Sequence, residues 1–157
     1  MQIFQIDNIP SVLYGAQADK VILAVHGNQS SKTDVPIRIL AETAQAKGYQ
    51  VLSFDLPEHG ERKGRQIPCK VQNCVEELKT VMEYVKGKWK SAGLFACSMG
   101  AYFSLLAYRD EKIEKCLFLS PVVDMGRLIE NMMTWFHVTP EQLEASGELD
   151  TPIGQKL

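Results

Sequence analysis

Ser98 lies in the stretch LFACSMGAYFSLLAY, Leu94 to Tyr108, where a run that reads as a strand gives way to one that reads as a helix. A serine hydroxyl is a weak nucleophile at neutral pH. It works when it is exposed to substrate, close to a base and faced by donors that stabilise an oxyanion. A sharp strand-to-helix corner exposes the hydroxyl and crowds the residues two before and two after it, so both must be small. Ala96 and Gly100 occupy those positions. The helix that begins at the corner brings free N–H groups and the positive end of its dipole, which aims the Met99 N–H at the developing charge. Cys97 is the rival nucleophile, but Gly100 lies three residues after it and two after Ser98. A blander reading makes Ser98 only the cap of a helix in a doubly wound binding protein.

The remaining reactive side chains are three histidines, His26, His59 and His137, and four cysteines, Cys69, Cys74, Cys97 and Cys116. No two cysteines form a C-x-x-C pair and the histidines are scattered, so no metal site is expected. The cysteines read as buried free thiols of a reducing compartment. There is no P-loop and no G-x-G-x-x-G, which argues against a nucleotide, and no cofactor is expected.

The elements that must position Ser98 alternate. MQIFQI and SVLYGA flank DNIP as an N-terminal hairpin. KVILAVHG is a continuous apolar run, as in a strand buried on both faces. In DVPIRILAETAQAKG, Ile37, Leu40, Ala41 and Ala44 form one helical face and Gly48 ends it. YQVLSFDLP is the next strand, and CKVQNCVEELKTVMEYVKG carries Val71, Val75, Leu78, Met82 and Val85 as a helical stripe. SAGLFACS and EKCLFLSP are further strands. The helix between them is apolar almost all round and is expected to lie deep in the fold. DMGRLIENMMTWFHV reads as a helix, and TPEQL starts another, with Thr139 and Gln142 as a capping box. This alternation implies a mostly parallel sheet covered by helices on both faces, with ligands bound beyond the carboxyl ends of its strands.

Three segments then resemble one family. ACSMG resembles the nucleophile elbow G-x-S-x-G of the α/β-hydrolases, with alanine for the first glycine. VILAVHGNQSSK resembles the strand and oxyanion loop that precede the family's first helix. FDLPEHGER resembles the loop after the next strand, where family members often carry D-x-P-G-H-G. The motifs fall in the family's order over roughly residues 15 to 125. The resemblance implies a three-layer α/β sandwich, with residues 1–125 as the N-terminal part of the core. Residues 126–157 would begin a cap or lid region, not a separate domain. It implies a serine hydrolase that forms an acyl-enzyme at Ser98 from a small-molecule carboxylic ester or thioester. Backbone N–H groups of Met99 and Asn28 would hold the oxyanion, Gly27 would let the chain approach closely, and His26 would orient the loop rather than act as base.

A triad also needs a histidine and an acid, in the chain order Ser, acid, His. After Ser98 only His137 remains, where the family carries cap helices, and His59 lies in a mouth loop. Asp124 follows the strand KCLFLSP. It is either the acid, as in a minority of the family, or an ordinary helix cap. The family's last two strands are not in this sequence, so the chain reads as an N-terminal portion. The catalytic histidine and acid are then expected beyond Leu157, and this chain alone is expected to be inactive. The alternative is an inactive fragment or a non-enzymatic binding module on the same fold. KCLFLS is expected to be an exposed, apolar sheet edge through which copies of the chain assemble.

The 157 residues suit a single domain, and a net charge of −2 gives no reason to expect nucleic acid. No apolar run reaches membrane-span length and the N-terminus lacks a signal-peptide pattern, so the chain is expected to be cytoplasmic. ERKGR at 61–65 is a small basic cluster that either favours an anionic substrate or is a solvated loop. NMMTWF is either an acyl-pocket lining or the core side of a cap helix.

Overall fold

The structure is a computed structural model that describes residues 1–64 and 67–152, and the chain divides into two compact units, Met1–Pro121 and Val122–Leu157. The first unit holds six strands: β1 (Gln2–Ile6), β2 (Ile9–Tyr14), β3 (Lys20–Val25), β4 (Gln50–Phe54), β5 (Ser91–Cys97) and β6 (Cys116–Leu119). They form one sheet in the order β1-β2-β4-β3-β5-β6. The hairpin β1–β2 turns on Asp7 and Asn8, both at positive φ, as a two-residue turn matched to strand twist requires. β2 joins β4 antiparallel, and β4, β3, β5 and β6 run parallel.

Helix α1 (Val35–Gln45) covers one face of the sheet and α2 (Val71–Lys86) with α3 (Met99–Ala107) the other. On α1 the expected apolar face is the buried one: Ile37, Ala41 and Ala44 pack with Val12, Ala24, Val51 and Phe95. On α2 the buried stripe is Cys74, Leu78, Val81, Met82 and Val85, while Val71 and Val75 are only half-buried at its margin. Both faces of β3 and β4 are therefore dry, which is why those strands read as unbroken apolar runs.

Two expectations need correcting. α3 is not deep on all sides, because one face packs on the sheet and α2 while Leu105 and Leu106 are 42% and 40% exposed on the other. The cysteines are not uniformly buried either: Cys116, on the edge strand β6, is exposed.

The second unit contains α4 (Met125–Phe136) and α5 (Pro140–Ser146). Asp124 caps α4, its Oδ1 accepting from Arg127 N at 3.0 Å. His137 closes that helix in a left-handed conformation, φ 54 and ψ 38. Thr139 and Gln142 form the expected capping box at α5. Met132 is buried and Trp135 exposed, so the NMMTWF segment does not bury as one block.

Candidate active site

One residue separates β5, ending at Cys97, from α3, beginning at Met99, and that residue is Ser98. Its backbone sits at φ 48 and ψ −120, a conformation that an L-residue holds only when its surroundings fix it. Three contacts do so. Ser98 N donates to Leu119 O at 3.0 Å, tying the corner to β6. Gly27 lies beneath the corner, where a Cβ would stand 3.1 Å from the Ser98 Cβ. At Gly100 a Cβ would stand 2.2 Å from the His26 carbonyl oxygen and 3.0 Å from that of Val25. The space that the sequence demanded two residues after the serine is therefore taken by the backbone of β3 and the residue after it. Ser98 is half-buried, and its side chain makes no capping bond to α3. Its hydroxyl is not spent as a helix cap.

The loop after β3 is held against the loop after β4 by buried polar groups. His26 Nε2 accepts from Leu56 N at 3.1 Å, which places the proton on Nδ1, and Nδ1–H donates to Gly27 O at 2.7 Å. Burial pushes this imidazole down to about 4, so it is neutral at pH 7 with both nitrogens engaged. His26 orients the loop, as the family resemblance implied. Asp55, fully buried, accepts from Lys32 N at 2.8 Å, Lys32 Nζ at 2.7 Å and Glu61 N at 3.0 Å. Burial opposes the Lys32 charge, but bonds to Asp55 and Glu61 outweigh it and its pKa is raised. Gly60, at φ 53, packs on the Asp55 carboxylate, where a Cβ would come within 2.2 Å of Oδ1.

His59 bridges the same two loops. Its Nδ1–H donates to Pro57 O at 2.7 Å, and its Nε2 lies 3.1 Å from the side-chain amide of Asn28. Burial pulls its pKa down, but Cys69 and the bond to Pro57 O outweigh that and the net shift is upward. Asn28, whose backbone N–H is the second expected oxyanion donor, is thus fixed through its side chain. Arg62, one cation of the ERKGR cluster, points inward to Glu77, with Nη2–Oε1 at 2.6 Å. Lys63 is exposed, and the cluster's last member, Arg65, lies outside the described residues.

Asp124 and His137 both belong to the second unit, where each ends or starts a helix. Among the described residues no group of three or more His, Cys, Asp or Glu could hold a metal ion. Among them, too, no helix is long and apolar enough to cross a membrane. A shallow groove of about 480 Å³ is lined by Asp7, Ile67, Asn73, Glu76 and others, none of them from the Ser98 corner.

Sequence reasoning named Ser98, Met99, Gly27 and Asn28 as candidates and did not reach the Lys32–Asp55–Glu61 and Arg62–Glu77 pairs. Each joins residues far apart in the chain. The only local hint was a lysine in the loop after one predicted strand and an aspartate at the end of the next.

A family profile described as serine aminopeptidase, S33, matches residues 16–151. The chain belongs to this S33 family. Solved structures agree on the α/β-hydrolase fold of this S33-family chain. The esterase PF2001 of Pyrococcus furiosus is 25% identical, with a TM-score of 0.69 over 93% of this chain and 58% of that one. Est1E of Butyrivibrio proteoclasticus, solved with ferulic acid, is 18% identical, with a TM-score of 0.73 over 100% of this chain and 67% of that one. A monoacylglycerol lipase of Paleococcus ferrophilus is 19% identical, with a TM-score of 0.61 over 89% and 53%. The chain thus spans 53 to 67% of the length of these structures. Among curated proteins none matches at a significant level.

Proposed function

We propose that the chain carries the nucleophile and oxyanion hole of a serine hydrolase acting on small carboxylic esters or thioesters. Ser98 Oγ attacks the carbonyl carbon, and the N–H groups of Met99 and Asn28 receive the oxyanion. The acyl group passes to Ser98 and then to water. The observation that carries this reading is the Ser98 backbone, held at φ 48 and ψ −120 between an extended strand and a helix N-terminus. The likeness to the Pyrococcus furiosus esterase favours an ester over an amide, whereas the family, described as serine aminopeptidase, allows an aminoacyl amide.

No base is assigned within the described residues. His26 is neutral with both nitrogens engaged, and His59 has partners at both of its own. We carry forward the expectation that a histidine and an orienting acid come from beyond Leu157. The greater length of the similar structures supports this. Asp124 is the acid candidate within the chain, set against the capping bond it makes. The proposal also places the chain in the cytoplasm, where four free thiols are at home. In isolation, the exposed β6 edge pairs with a second copy.

The test is turnover of p-nitrophenyl acetate beside an aminoacyl p-nitroanilide, by the chain and by the chain extended through the residues that follow it in its gene. Ester turnover in the extended protein, lost in Ser98→Ala, is expected. Ester turnover unchanged by Ser98→Ala overturns the assignment, and turnover of the anilide alone moves the substrate class to amides.

A further inference from the structure

Two cysteines that the sequence left as inert thiols meet beside His59. Cys69 lies two residues before α2, and Cys74 is the fourth residue of that helix. Their sulfurs are 3.6 Å apart. Cys74 is fully buried and Cys69 half-buried, so one thiol faces a small reagent and the other waits behind it. Cys69 N donates to Glu58 Oε2 at 2.7 Å, which holds the loop over the helix start. The His59 ring, whose nitrogens face Pro57 O and Asn28 Oδ1, lies close enough to Cys69 to favour its thiolate.

We propose that Cys69 and Cys74 form a dithiol site that hydroperoxides convert to a disulfide. Cys69 attacks the peroxide: an S–O bond forms, the O–O bond breaks, and the alcohol or water leaves with one proton. The product is a sulfenic acid at Cys69. Cys74 then attacks that sulfur, and its proton leaves with the hydroxyl as water. Two electrons pass from the pair of sulfurs to the peroxide oxygens, and two equivalents of a small thiol reverse the change.

The pair suits this order of events. The bond with Cys74, and next His59, hold the Cys69 thiol down to about 6, against burial. The Cys74 thiol is raised by the same bond and by burial, so it stays protonated until it acts as the resolving partner. The positive end of α2 adds to the stabilisation of a thiolate at Cys69. Reaching bonding distance takes a closure of about 1.5 Å. Residues 67–70 belong to no helix or strand and can supply it.

Trypsin reads the outcome directly, because Lys70 separates the two cysteines. The native chain is treated with stoichiometric hydrogen peroxide, alkylated and digested without reductant. The expected product is the peptide ending at Lys70 joined to the peptide Val71–Lys79, about 2 Da below the sum of the two and released by dithiothreitol. At pH 7, before oxidation, Cys69 is expected to alkylate more than about tenfold faster than Cys97. In Cys74→Ser, dimedone should trap Cys69 as its sulfenic acid. Oxidation confined to the exposed Cys116, with Cys69 and Cys74 both still alkylated, overturns the proposal. So does a Cys69 no faster than Cys97, a result that needs no variant to fold.

Discussion

His26 and Gly100 show how single residues set this corner. His26 is uncharged in the folded protein, with its pKa held near 4 by burial, whereas in the unfolded chain it sits near 6.5. As pH falls between those values, the unfolded chain takes up a proton that the folded one refuses. The stability His26 contributes is therefore complete above pH 6.5 and is lost toward pH 4, by about 3 kcal/mol. His59, shifted upward, acts in the opposite sense, so the comparison must be between variants. Urea unfolding of His26→Gln, which keeps an uncharged acceptor for Leu56 N, is expected to show a shallower loss between pH 7 and pH 4 than the native chain. At Gly100 an added methyl group meets the His26 carbonyl oxygen. Gly100→Ala is expected to cost about 3 kcal/mol, the upper end of overpacking. Gly48→Ala, at φ 74 in open space, is expected to cost about 1 kcal/mol. Equal losses at the two sites would mean that the corner is not crowded as described. The need for a small residue two after Ser98 was legible because it follows from the corner alone. That the obstacle is the His26 carbonyl was not, since the sequence does not say which strand lies below.

Among the elements, the sequence did well where periodicity is strong and poorly where packing is shared. The faces of α1 and the capping box of α5 were legible, because spacing and cap residues carry them. α3 read as deep because its residues are apolar on every side, yet Leu105 and Leu106 face outward, and hydropathy alone cannot tell which side a neighbour will cover. The lacing of the loops after β3 and β4 could not be read at all, since Lys32 and Asp55 meet only once those strands are adjacent. Asp55→Asn removes the charge that balances a Lys32 side chain only 5% exposed. The expected cost is about 3–5 kcal/mol, read as a lower urea midpoint at unchanged slope. A change below about 1 kcal/mol would mean that this pair does not hold the loops.

For the whole molecule, the sheet order puts β6 at one end, with Leu117 and Leu119 58% and 46% exposed beside backbone groups that β5 does not reach. An edge of this kind pairs with another strand unless charge blocks it. Light scattering is expected to show a dimer or larger assembly of the isolated chain and a monomer for the double variant Leu117→Lys, Leu119→Lys; a monodisperse native monomer contradicts this. That edge was legible from the order of apolar segments, and the family from three motifs in sequence. The base was not, because no histidine in the described residues is both free and set beside Ser98 in one unit. The central claim is that the fold arms Ser98 before any base is considered, and labelling by a fluorophosphonate tests it most directly. The tryptic peptide Ser91–Arg109 holds Ser98 together with Ser91 and Ser104. Fragment-ion mapping is expected to place the label on Ser98, accumulating about 10³-fold faster than on exposed serines, and to find none in Ser98→Ala. Label spread evenly over the surface serines, with Ser98 unmodified, would contradict the account.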